Sequence, residues 1–372
     1  MLKKVVDQAL AVRVLENSIK NDKIAQAYLF YGPEGCGKLF TAYLFAMAIN
    51  CYSSEDRIPC GTCISCRKFL HYSHPDILFL FPIPKFEMTS TGEMKSQANQ
   101  DEYQKYIQAK IDTPWKDYLF TGNTEIRIDQ IRMIQQKLIT SPYEAEKKII
   151  IIENAEKMNV QAANAFLKTL EEPSPNTIII MTTNTINSLL PTILSRVQKI
   201  EFHPVKHEKI EVYLRHVFSL EPVKARLIAK LSNSNLEKAI LLAKEDNFEK
   251  IDMTARFFQT LIANDDQSFL SWLEEIIAKS GKNNTFLTDI IDSFILFLND
   301  VKSFQLCQSD IVNINQIKLI AKFYEKNPFI LENLDEIFFF LEDLQGAVKG
   351  HVNPKLIFGH IYNTLGSSFN LH

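Results

Sequence analysis

Leu29-Phe30-Tyr31-Gly32-Pro33-Glu34-Gly35-Cys36-Gly37-Lys38-Leu39 runs from an apolar stretch through three close glycines to a lysine. It reads as a buried strand, a tight turn and the start of a helix. Gly32, Gly37 and Lys38 fall at the spacing G-x-x-x-x-G-K-[ST] of a phosphate-binding loop. Glycines let the backbone wrap a phosphate closely, and the helix behind offers unpaired N–H groups and the positive end of its dipole. Gly35 lies in the same turn, and Lys38 would pair with β- and γ-phosphate oxygens. The next position should carry a hydroxyl for Mg²⁺, and here it is Leu39. The loop therefore predicts a phosphate cradle that lacks the metal's ligand. Taken alone it is also compatible with a glycine-rich turn that binds nothing. The chain has only 11 glycines in 372 residues, against a usual share of about 7%, so three within residues 32–37 mark a built feature.

On either side of this loop the apolar runs are short and regularly interrupted. Residues 3–23 predict an amphipathic helix, 37–50 the helix after the loop, and 67–72 another helical stretch. Strands are expected at 74–81, at Lys147-Lys148-Ile149-Ile150-Ile151-Ile152, at 177–183 and at 198–202. Strands this apolar suit burial on both faces of a parallel sheet. Alternation with helices at 126–139, 158–171 and 188–195 predicts an α/β domain over residues 1–205. Residues 83–124 break the pattern with Pro82, Pro84, a Met88-Thr89-Ser90-Thr91-Gly92 run and many Gln and Lys. They read as a surface insertion, partly helical around 100–118. Beyond 205 no strand is expected: 206–247 predicts a small helical lid and 248–372 an all-α collar with helices near 251–279, 284–307, 313–326 and 331–348. Asn353-Pro354 should cap a final helix. Phe338-Phe339-Phe340 fits core packing or a helix–helix interface.

Hydrophobic content is 46% and charged content 23%, as in soluble globular proteins. A net charge of −3 excludes a global basic field for nucleic acid. The N-terminus lacks the apolar core of a signal peptide, and no apolar run nears the ~18 residues that span a membrane, so a cytoplasmic location is expected.

Three further groups carry chemistry. Cys51, Cys60, Cys63 and Cys66 are spaced C-x8-C-x2-C-x2-C, which suits one tetrahedral Zn²⁺ with no open position: a structural knot. In a working P-loop ATPase a second strand ends in Asp, which helps hold Mg²⁺, often followed by Glu. Here that strand ends in Glu153-Asn154. Together with Leu39, that makes three altered positions in the metal and water machinery, which argues against hydrolysis. Thr183-Asn184 ends the next strand and either faces a γ-phosphate or forms an ordinary turn. Ser195-Arg196 follows a short helix, where an arginine on the surface is the bland reading.

Several longer stretches add a resemblance. Ile24 to Lys38, the cysteine knot, His74-Pro75-Asp76, Ile128-Asp129-Gln130-Ile131-Arg132, Ile151 to Met158, Ala162 to Pro173 and Ile193-Leu194-Ser195-Arg196 are similar to the bacterial clamp-loader subunits of the AAA+ family. The resemblance covers about residues 1–205. It implies a subunit of the DNA polymerase III assembly that helps load the sliding clamp onto primed DNA in an ATP-dependent step. It implies gamma/tau-type ATPase subunits and a delta subunit as partners. The family's Ser-Arg-Cys becomes Ser195-Arg196-Val197, and the retained Arg196 is then an arginine finger given in trans to a neighbour's ATP site. The lid arginine of the ATPase subunits is replaced near Ser234-Asn235-Leu236-Glu237, and Glu237 would repel a γ-phosphate. The resemblance thus implies a non-catalytic subunit, with ATP or ADP occupancy left open. The alternative is an active gamma/tau-like motor subunit, which would need Ser or Thr at 39 and an acid at 154. An unrelated P-loop transferase is disfavoured, because little basic or aromatic character interleaves the cysteines.

Overall fold

In the computed structural model the described residues are 4–53, 59–84, 96–112, 124–174, 176–245, 249–280, 284–306, 311–313, 316–327, 330–349 and 352–367. They divide into two compact units: residues 1–213 with 234–241, and 214–233 with 242–372.

The first unit is built on five parallel strands in the order β2-β3-β4-β1-β5: β1 Ala27–Tyr31, β2 Ile77–Leu80, β3 Lys148–Ile152, β4 Thr177–Thr183 and β5 Gln198–Glu201. Every residue of β3 and β4 is buried, as their Ile-rich sequences require of strands covered on both faces. Lys148 is the exception in chemistry, though not in burial. Its Nζ donates to Lys137 O at 2.5 Å, Thr140 O at 2.6 Å and Thr140 Oγ1 at 2.8 Å. It thereby satisfies carbonyls at the end of helix α5, Ile128–Leu138. Helices α1 (Ala9–Lys20), α2 (Lys38–Ile49), α3 (Ile64–Leu70) and α6 (Val160–Glu171) complete the layers, with α7 (Pro191–Leu194) before β5. Asn159 caps α6, its Oδ1 accepting from Ala162 N at 2.9 Å. Because all strands are parallel, the turns after β1, β3 and β4 emerge at one edge of the sheet, where ligands bind in open α/β folds.

Asp76 shows how a short motif shapes this unit. Its buried carboxylate accepts from the N–H groups of Tyr143 at 2.6 Å, Glu144 at 2.8 Å and Ala145 at 2.8 Å. These bonds clamp the chain that enters β3. Neighbouring His74 is buried, and its Nδ1 accepts from Asp76 N at 3.2 Å.

Of the expected surface insertion 83–124, residues 85–95 and 113–123 lie outside the described residues. The described part holds α4, Gln97–Asp112, a helix exposed along most of its length with one face packed on the sheet. Tyr103, Tyr106 and Ile107 pack against Phe79, Phe81 and Ile83 at the end of β2, and Tyr106 stacks on Phe81 with ring centroids 3.9 Å apart.

The residues expected as a lid form α8 (His207–Phe218), α9 (Pro222–Leu231) and α10 (Leu236–Glu245), with α8 and α10 contributing residues to both units. The second unit continues with α11 (Glu249–Ala263), α12 (Asp266–Ser280), α13 (Asn284–Gln305), α14 (Ile317–Lys326), α15 (Leu334–Lys349) and α16 (Pro354–Ser367). The single helix expected at 251–279 is two helices. Asn264 takes a left-handed backbone (φ 53°), and Asp265 accepts from Ser268 N at 3.1 Å to start α12. Asn353 caps α16 as expected, accepting from Lys355 N at 3.0 Å. Stacked aromatics fill the core, with Phe257 on Phe294 at 4.4 Å and Phe258 on Phe297 at 4.0 Å. Phe338 and Phe340 pack partly against this core, while Phe339 is exposed. Among the described residues no strand lies beyond Glu201, and no helix is long and apolar enough to cross a membrane.

Candidate functional site

The turn after β1 leads into α2, with Gly37 at the N-cap in a left-handed conformation. Gly32 and Gly35 both have positive φ, 147° and 69°. A Cβ at Gly32 would run into the backbone of Phe202, and one at Gly35 into the side-chain amide of Asn235. Asn235 stands just before α10, whose Leu236 N donates to Gly35 O at 3.0 Å. The start of α10 thus closes over the loop. Lys38 is buried and folds back on its own turn. Its Nζ donates to Gly32 O at 2.8 Å and to Pro33 O at 2.5 Å, with Cys36 Sγ at 3.6 Å. Leu39 follows, half-buried, and Thr41 Oγ1 donates to Gly37 O at 2.8 Å within the helix.

At the end of β3, Glu153 has both carboxylate oxygens engaged by α4. Tyr106 Oη donates to Oε2 at 2.8 Å, and Lys110 Nζ to Oε1 at 2.9 Å. Burial and the Glu153 charge raise the Tyr106 pKa well above its ordinary value, so the phenol stays a donor. Asn154 has a left-handed backbone (φ 51°), and its N–H donates to Thr182 Oγ1 at 3.2 Å.

Strand parity corrects the expectation for Thr183. Successive strand residues point to opposite faces, so Thr182 and Asn184 line the cleft while the Thr183 hydroxyl accepts from Thr185 N at 3.1 Å. The cleft is lined by Gly35, Lys38, Leu39, Lys110, Glu153, Asn154, Thr182 and Asn184, with Glu34 and Glu237. Its cavity measures about 30 Å³, room for about one or two waters. Around it Lys38 is held by carbonyls, Leu39 stands in place of a hydroxyl, and Glu153 is paired with Lys110. Sequence reasoning missed Lys110 and Tyr106. The signal was present in the spacing Tyr103, Tyr106, Ile107, Lys110, which is i, i+3, i+4, i+7 on one helix face.

Arg196 lies just after α7 on the exposed surface. Its Nη2 meets Glu171 Oε1 at 2.8 Å, and its Nη1 donates to Thr192 O at 2.9 Å and Ser195 Oγ at 3.2 Å. Glu171 ends α6, so two elements hold the guanidinium at the surface.

The four cysteines form a separate cluster, with their sulfurs all within 4.8 Å of one another. Cys60 and Cys66 Sγ are 4.0 Å apart, close to the ~3.8 Å edge of a tetrahedron with Zn–S bonds of about 2.3 Å. Backbone N–H groups point at the sulfurs: Thr62 and Cys63 at Cys60 (3.4 and 3.3 Å), Cys60 at Cys51 (3.4 Å) and Cys66 at Cys63 (3.4 Å). The Thr62 hydroxyl, then the N–H groups of Thr62 and Cys63, bring the Cys60 thiol down to about 5. Burial raises the Cys51 and Cys66 thiols, so the fit rests on geometry: a closed set of four sulfur donors at these distances suits a structural Zn²⁺.

An α/β unit with a glycine-rich loop beside a polar cleft, an exposed arginine after α7 and a four-cysteine cluster defines the class of protein. The profile of the family described as DNA polymerase III, delta subunit, matches residues 7–206, more than half of the chain, and the chain belongs to that family. It is 28% identical over 304 residues to subunit delta′ of DNA polymerase III from Bacillus subtilis, covering 82% of this chain and 79% of that protein. It is 32% identical over 172 residues to subunit delta′ from Pseudomonas aeruginosa, covering 46% and 41%. It is also 26% identical over 243 residues to subunit tau from Bacillus subtilis, covering 64% of this chain and 36% of that longer protein.

Proposed function

We propose that the chain is a clamp-loader subunit without a competent ATPase site of its own, lending Arg196 to the nucleotide site of a neighbouring ATPase subunit. The observation that carries this reading is the state of Lys38. The one loop cation a phosphate needs is held by Gly32 and Pro33 carbonyls, beside a cavity of about 30 Å³. The guanidinium of Arg196 lies on the exposed surface after α7, where it would stabilise charge developing on a γ-phosphate held by another chain. Its partners on this reading are gamma/tau-type ATPase subunits and a delta subunit in the cytoplasm. The sliding clamp and primed DNA are reached through the complex. The cysteine cluster holds one structural Zn²⁺, residues 206–247 act as a lid, and 248–372 form the collar that assembles the complex.

The similarity to a tau subunit favours a second reading, an active motor. One experiment separates the two. The purified chain alone should turn over ATP at background rate, while a reconstituted loader carrying Arg196→Ala should lose at least about tenfold of its ATPase. Brisk magnesium-dependent hydrolysis by the isolated chain would establish the motor instead. Normal ATPase of the Arg196→Ala loader would remove the finger.

A further inference from the structure

The inserted helix α4 presents Tyr103, Tyr106, Ile107 and Lys110 along one face. The first three fasten it to Phe79, Phe81 and Ile83. The fourth delivers a buried ammonium, 1% exposed, to the carboxylate that ends β3. Tyr106 covers the second oxygen of that carboxylate. The Lys110 Nζ also stands 5.5 Å from the centre of the Tyr106 ring, a cation–π contact that steadies it.

A buried carboxylate demands a counter-charge, and a buried ammonium demands the converse. In a nucleotide-hydrolysing cleft that positive charge arrives with the ligand. Here it is built into the chain. We propose that α4 is an internal stopper: Lys110 supplies in cis the cation of this cleft, and with Tyr106 it keeps nucleoside phosphates and their divalent metal out. The proposal rests on the non-hydrolytic reading above and goes further. The cleft is closed to binding, and the insertion is what closes it. An entering metal–nucleotide would have to break the Lys110–Glu153 pair, open the packing of Tyr106 on Phe81 and bring a divalent cation beside the Lys110 ammonium.

The test is Lys110→Met combined with Tyr106→Phe, which keeps side-chain volume and leaves Glu153 in place. A fluorescent ADP analogue with Mg²⁺ is the probe, and far-UV circular dichroism with zinc content checks the fold. The wild-type chain should bind weakly or not at all, and the variant should bind about a hundredfold more tightly. Lys110→Arg, which keeps the cation, should behave as wild type. A folded double variant with no gain overturns the stopper while leaving the non-hydrolytic reading intact; tight binding by wild type also overturns it. If the variant does not fold, hydrogen exchange across residues 97–112 of the wild-type chain decides. Equal exchange with and without MgADP is expected, and faster exchange with MgADP overturns the proposal. Failure of the Arg196→Ala experiment alone would remove the finger and leave the stopper standing.

Discussion

Asp76→Ala is expected to cost about 3–5 kcal/mol of folding free energy. The carboxylate accepts three backbone N–H bonds at 2.6–2.8 Å, and it is buried. A hydrogen bond to a charged group contributes about 1.5–3 kcal/mol, and three sharing one acceptor group add to less than their sum. Alanine leaves Tyr143, Glu144 and Ala145 N–H without their acceptor and loosens the entry to β3. Asp76→Asn should fall between. It can keep the oxygen that serves Glu144 and Ala145, but it turns an NH₂ toward Tyr143 N–H. The pH dependence has a defined sign. Burial raises the Asp76 pKa, but the N–H groups of Glu144, Tyr143 and Ala145 outweigh it, and the result is a lowered value. Its stabilisation is therefore complete above the unfolded value of about 3.9 and is lost as pH falls through the folded value. His74, lowered by burial, also loses stability on acidification, but in the window just below about 6.5. Urea unfolding across pH should show the lower step abolished in Asp76→Ala and the upper one kept. A loss under about 1 kcal/mol, or an Asn variant as damaged as the Ala variant, would refute this account of the clamp.

Other expectations follow from the same geometry. Elemental analysis should find about one Zn²⁺ per chain, and chelation should lower the thermal midpoint; a metal-free chain of unchanged stability removes the knot. Glu171→Gln should change folding stability by no more than about 1 kcal/mol, because its pair with Arg196 is at the surface, which a urea midpoint will measure. Gly35→Ala should cost about 1–3 kcal/mol from its left-handed backbone, and more from the clash with Asn235. Adding Asn235→Ala should recover the clash but not the strain, a difference that denaturation of both variants can read.

The sheet was legible because fully buried parallel strands leave runs such as Ile149–Ile152 that few other structures tolerate. The cysteine cluster was legible for a similar reason: four thiols at that spacing have few alternatives. What escaped was side-chain direction. Thr182 and Thr183 differ only in strand parity, which depends on where the sheet's faces lie. Lys38 is the right residue at the right spacing, yet the hold of the Gly32 and Pro33 carbonyls on its ammonium depends on how the turn folds. The role of α4 was hidden among Gln and Lys because its partners, Phe81 and Glu153, come from distant stretches. Asn264-Asp265 split an expected helix because a left-handed Asn and a capping Asp look innocuous inside an apolar rhythm.

Lys110 and Arg196 are held in opposite ways. Lys110 and Glu153 have side chains 1% and 14% exposed, so removing one strands the other at a cost of about 3–5 kcal/mol. Arg196 and Glu171 are 35% and 49% exposed, and a pair so open to water contributes about 0.2–1 kcal/mol. A group that must leave its partner to meet a phosphate on another molecule needs a weak hold, with enough order to keep its fork presented at the surface. Glu171 and the Thr192 carbonyl give Arg196 that hold. A group that must keep a cleft closed needs the strong one, and α4 gives it to Lys110. On the proposed reading, therefore, the cation meant for a neighbour is the one left cheap to release, and the cation kept at home is the one buried.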